Sequence, residues 1–135
     1  MKKTFAIAAL FVAALTGTAV AADSYDLSVN APASKVNEKS VAKVSVQTKG
    51  DWHVNKDYPH KLTLEAPEGV TIEKTKLTAK EAAKFDDKQL AFDVSYTVAK
   101  AGKADIKGTL KFATCQGESA CVQKTENIVI SVSAK

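Results

Sequence analysis

The sequence contains no arginine; all 19 of its basic residues are lysine. Phosphate and base-edge recognition lean on the bidentate guanidinium fork, so nucleic-acid binding is a poor fit. The lysines are interspersed with 15 acidic residues, the pattern of an ordinary solvated surface. The single methionine is the first residue, and there are only two histidines, His53 and His60. Those two flank Pro59 with no Cys-His or acidic ligand pattern beside them, so no metal or other cofactor is expected. No Ser/His/Asp arrangement, paired-carboxylate motif or phosphate loop stands out, and there is no internal repeat or low-complexity tract. Beyond residue 22 no apolar run approaches the ~20 residues that span a bilayer. Cysteine is also scarce: the chain has two, Cys115 and Cys121.

The N-terminus carries the longest apolar run. Met1-Lys2-Lys3 gives a positive start, Phe5 to Val20 is apolar or small, and Val20-Ala21-Ala22 offers small residues at an exit site. That is the make-up of a cleaved secretory signal. Residues 1–22 are therefore expected to be removed, leaving residues 23–135 as one domain in an oxidising space, most simply a bacterial periplasm. Loss of Lys2 and Lys3 would lower the formal charge from +4 to +2.

The rest of the chain alternates with a period of two. Leu27 and Val29, then Ala42, Val44 and Val46, then Leu62 and Leu64, then Val70 and Ile72 each straddle polar residues. Leu90, Phe92, Val94, Tyr96 and Val98 form the longest set, followed by Ala104, Ile106, Leu110 and Phe112, and by Ile128, Ile130 and Val132. Such alternation describes strands with one face inward and one wet. Turn chemistry separates them at Lys49-Gly50-Asp51, Ala66-Pro67-Glu68-Gly69 and Lys100-Ala101-Gly102-Lys103. Seven or eight short strands with regular turns predict an all-β, immunoglobulin-like antiparallel sandwich. Thr78 with Glu81 three residues later is a capping-box pattern, which predicts one short helical turn near 78–84.

Cys115 and Cys121 enclose Gln116-Gly117-Glu118-Ser119-Ala120 between two alternating strands, at the tip or upper rungs of a final hairpin. In an exported chain the two are expected to join. A ring this small contributes only ~2–2.5 kcal/mol on the chain-entropy model, against ~4.7 kcal/mol for a hundred-residue loop. The bond is thus a modest staple, and a bond at a hairpin end is accessible to thiol exchange. Two readings stay open: a redox pair, or a non-catalytic binding or adaptor module whose disulfide pins its last hairpin. Trp52, after the turn at Gly50-Asp51, reads as a core or rim anchor or as a residue lining the cysteine site.

The Cys-x5-Cys segment before a terminal strand resembles the N-terminal periplasmic domain of the thiol:disulfide interchange proteins of the DsbD family. Gly50-Asp51-Trp52-His53-Val54-Asn55 looks like that family's aromatic-rich segment, and Ala66-Pro67-Glu68-Gly69-Val70 like its following turn. Phe85 sits where the family has a phenylalanine capping the disulfide, although Ala83 and Lys84 stand where the family has an acidic pair. The resemblance implies an immunoglobulin-like domain exchanging disulfides with thioredoxin-like partners. Cys121 would form the mixed disulfides, Cys115 would resolve them, and Phe85 would act as a lid. Lys84 or Lys124, if close to the pair, would favour a thiolate.

Overall fold

The structure is a computed structural model and describes residues 20–21, 24–118 and 120–135. Among the described residues there are eleven strands: β1 (Val20–Ala21), β2 (Tyr25–Asn30), β3 (Lys39–Thr48), β4 (Trp52–Val54), β5 (Lys61–Glu65), β6 (Val70–Ile72), β7 (Lys76–Thr78), β8 (Lys84–Phe85), β9 (Gln89–Val98), β10 (Gly102–Gln116) and β11 (Ala120–Ala134). Among the described residues these strands pair antiparallel, and an isolated parallel bridge joins Ser34 to Ala134. One sheet runs β1-β2-β3-β9-β6, with β8 also on β9; the other runs β11-β10-β5-β7, with β4 also on β10. With β2, β3, β9 and β6 as A, B, E and D, and β5, β10 and β11 as C, F and G, this is the strand order of the immunoglobulin sandwich. The all-β fold expected from the alternation is therefore present.

The apolar sets singled out by their period of two line the space between the sheets. Val44, Val46, Leu90, Phe92, Val94 and Tyr96 from one sheet meet Leu62, Ile106, Leu110 and Ile130 from the other, each no more than 1% exposed. Burial on this scale drives the two sheets together, at roughly 25 cal/mol per Å² of apolar surface. Gly108 marks where the packing is tightest. A Cβ there would lie 2.9 Å from both Leu64 Cδ2 and the Thr63 carbonyl oxygen, so only glycine lets β5 and β10 approach.

Two details differ from the sequence reading. The helical turn over 78–84 is confined to a 3-10 turn at Ala79–Glu81. The Glu81 carboxylate accepts from the Thr78 N–H and hydroxyl at 2.6 Å each, but the next residues turn extended and form β8. The extra strands β4, β7 and β8 have two or three residues, too few to reveal alternation. The expected signal segment lies outside the described residues except for Val20–Ala21, which pair with Leu27 and Asp26.

Candidate functional site

The last hairpin builds the site. Strands β10 and β11 pair continuously from Gly102↔Ala134 to Gln116↔Ala120, and Gly117, with φ at 64°, opens the turn in a conformation natural to glycine. This register sets Cys115 directly opposite Cys121, one rung below the turn. The two form a disulfide with an S–S distance of 2.08 Å and a Cα–Cα distance of 4.0 Å. The hairpin disulfide anticipated from sequence is thus formed across a single rung.

The residues it joins differ in access. Along β10, Ile106, Leu110, Phe112 and Thr114 face the core, so Cys115 lies on the outer face, since successive side chains alternate. Consistent with this, Cys115 does not belong to the central core cluster. It is nevertheless only 4% exposed, whereas Cys121 is exposed.

The other edge of β10 carries β4 over its upper part, with Val54 opposite Thr114, His53 opposite Cys115 and Trp52 opposite Gln116. Local bonds fix β4 there. The Trp52 N–H donates to the Lys49 carbonyl at 3.0 Å across the turn at Gly50, itself at φ 56°. Lys88 Nζ donates to the carbonyls of Gly50 and Trp52 at 2.9 and 3.0 Å, and the Val54 N–H donates to the Asp87 carbonyl at 2.7 Å. Below β4, the Asn55 N–H donates to the Ala113 carbonyl at 3.0 Å. Residues opposed across a ladder share a face. The outer face therefore carries a row of three side chains, His53, Cys115 and Cys121.

The other residues marked in the sequence lie elsewhere. Trp52 shares the face of Val54, which is buried in the core, and not that of the disulfide; this is the rim position. Phe85 packs against the core cluster, to which Cys115 does not belong, and its ring meets that of His60 at 5.5 Å. The ring is partly buried there, and Phe85 pairs with Leu90 across β8 and β9. Lys84 sits on β8 with its Nζ 3.9 Å from Asp86. Lys124 pairs with Phe112, on the face of β11 opposite to Cys121. The structure thus joins Cys115 and Cys121, with Trp52 one rung away on β4 and Lys84 and Phe85 on β8.

The two histidines fall on opposite sides of this sheet. His60, 1% exposed, lies between the rings of Tyr58 and Phe85, and its Nε2 is 2.6 Å from the Asn55 carbonyl oxygen. A carbonyl only accepts, so Nε2 carries the proton and Nδ1 is left buried without a partner among the described residues. Burial lowers the His60 pKa below its usual 6.5, against a smaller upward pull from the Asn55 carbonyl. His53 is half-buried on the outer face. Its place beside Cys115 was missed in the sequence because β4 is only three residues long; the signal available was the tryptophan-histidine step after a glycine turn.

Chemically, the row offers an exposed cysteine of a disulfide, its buried partner, and an imidazole on the rung of the buried one. The sequence matches no family model and no curated protein.

Proposed function

We propose that this chain is a periplasmic thiol–disulfide exchange domain. It is exported through residues 1–22 and relays electrons between a thioredoxin-like dithiol donor and oxidised proteins through Cys115 and Cys121. The observation that carries the reading is the asymmetry of the disulfide: Cys121 is exposed at the end of a hairpin while Cys115 is 4% exposed. A thiolate attacks along an open approach, so Cys121 receives the nucleophile and Cys115 departs. The resemblance of the Cys-x5-Cys segment to the DsbD-type periplasmic domain supports the same assignment.

The test is a redox titration of residues 23–135 against dithiothreitol or glutathione, with thiols counted by alkylation. A potential within the exchangeable range, above about −300 mV, is expected. A much lower value would mark a resistant structural bond and favour the adaptor reading, in which the disulfide only pins the hairpin. With Cys115 replaced by serine, Cys121 should trap a mixed disulfide with a thioredoxin-like protein, and the Cys121→Ser variant should trap far less.

A further inference from the structure

We propose that His53 handles the proton of Cys115 during exchange, donating it to the departing thiolate and removing it from the resolving thiol; this rests on the redox reading above. Cys115 has two cross-strand neighbours, Cys121 on β11 and His53 on β4, and both share its outer face. Directly opposed residues place their Cβ atoms about 4.5–5.5 Å apart, within reach of an imidazole and a sulfur. A thiolate formed at Cys115 is poorly solvated, because the residue is only 4% exposed. Burial disfavours a thiolate, and a proton donor at that sulfur offsets the cost.

The other charged groups around the row are placed differently. Beyond the far edge of β4, Lys88 is committed to the Gly50 and Trp52 carbonyls, and Asp87 is paired with Lys56 at 3.1 Å. Asp51 precedes β4 and Glu118 lies in the hairpin turn. On β10 the nearest charge on this face is Lys111, two same-face positions below Cys115; on β11 the same-face neighbours of Cys121 are Gln123 and Thr125, both uncharged. His53 is the titratable group that the register sets on the Cys115 rung.

The chemistry balances in both directions. In reduction, a donor thiolate bonds to Cys121 Sγ, the Cys115–Cys121 bond breaks, and its electron pair stays on Cys115 Sγ, which takes the proton from His53. The donor's second thiol loses its proton to solvent and attacks the donor sulfur bonded to Cys121, which closes the donor disulfide and releases Cys121 as a thiolate. Toward an oxidised client, the Cys121 thiolate bonds to a client sulfur and expels the other as a thiolate. Neutral His53 then takes the Cys115 proton, Cys115 Sγ attacks Cys121 Sγ, and the client sulfur bonded to Cys121 leaves as the second thiolate. The client gains the two electrons that the cysteine pair loses.

The test compares His53→Gln with the wild-type domain, both shown to be folded by circular dichroism in the oxidised state. Single-turnover reduction by dithiothreitol is followed across pH, and the Cys115 thiol is titrated by thiolate absorbance in a Cys121→Ser background. We expect His53→Gln to raise the thiol midpoint, to erase an imidazole-dependent limb of the rate profile, and to slow reduction near neutral pH about tenfold or more. A variant that exchanges with an unchanged midpoint and profile overturns the role of His53 and leaves the relay standing. Failure of both proteins to exchange overturns the relay, and this proposal with it. Should the variant not fold, the wild-type His53 ring can be titrated by NMR in both redox states. A rise of its pKa on reduction is the expected result, and the same pKa in both states overturns the proposal.

Discussion

His60 shows how one buried side chain can govern stability without touching the disulfide. Its ring bridges the 55–60 loop, through the Asn55 carbonyl, to β8, through Phe85. Because burial lowers its pKa, the folded state resists protonation while the unfolded chain takes up a proton near the ordinary 6.5. The unfolded state then binds more protons, so stability rises with pH. The His60 contribution is fully present above 6.5 and is lost as pH falls from there through the lowered folded value. One proton sets a ceiling of about 1.4 kcal/mol per pH unit on this slope. Urea unfolding at pH 7.5 and 5.5 checks it: the wild type should lose stability on acidification and His60→Phe should lose markedly less. Three carboxylates with lowered pKa do not confound that window. Glu73 is held low by its bond to Lys39, Glu81 by its bonds to Thr78, and Asp86 by the backbone N–H groups of Lys88 and Gln89, so all three stay ionised. Equal slopes in wild type and variant would show that the titrating group lies elsewhere.

At the scale of elements, the β10–β11 hairpin keeps its register independently of its disulfide. Cys115 and Cys121 close a rung already framed by Gln116↔Ala120 above and Thr114↔Val122 below, and the ladder continues to Gly102↔Ala134. Edge support comes from β4 and β5 along the other side of β10. The bond therefore acts mainly on the unfolded chain, where a ring of this size is worth about 2 kcal/mol. Reduction, or the Cys115→Ser/Cys121→Ser pair, should lower the unfolding free energy by roughly that amount and leave the β-rich circular dichroism unchanged. Unfolding on reduction would show instead that the hairpin depends on its staple, which a relay that cycles through a dithiol state cannot tolerate. The long strands and this hairpin were legible in the sequence because Leu90 to Val98 and Ala104 to Phe112 carry enough alternation to fix a face. Strand β4 was not legible, since Trp52–Val54 is held by Lys88 and Asp87 from a distant segment. The same gap hid His53, and the two-residue β8 was equally unreadable: it pairs with Leu90 and Ala91, and the Phe85 ring packs against the core cluster.

For the molecule as a whole, two separate ties close the sandwich across its sheets. On one margin the Tyr25 hydroxyl of β2 donates to the Glu126 carboxylate of β11, and the Tyr25 ring meets Phe112 edge-on at 4.8 Å. At the other end the connection from β2 to β3 is latched to the C-terminus. Ser34 N–H donates to the Ser133 carbonyl at 3.0 Å, Lys135 N–H to the Ser34 carbonyl at 3.1 Å, and Val36 N–H to the Lys135 carbonyl at 3.1 Å. The same segment continues to β9, where the Asn37 N–H donates to the Val98 carbonyl at 2.8 Å. Removing Ser133 to Lys135 deletes the three latch bonds, the Ser34 hydroxyl's bond to the Ser133 carbonyl and the last two rungs of the β10–β11 ladder, so at about 1 kcal/mol net per bond a loss above roughly 4 kcal/mol is expected. Tyr25→Phe deletes the other tie, a bond to a charged group worth about 1.5–3 kcal/mol. Glu126 and Ala134 are separated by roughly 27 Å of strand at about 3.4 Å per residue, too far for the ties to share partners. Their effects should therefore add in the combined variant to within about 0.5 kcal/mol, read from urea unfolding midpoints at constant slope. A combined loss well below the sum would mean that the sheets are held by the core alone once either margin opens.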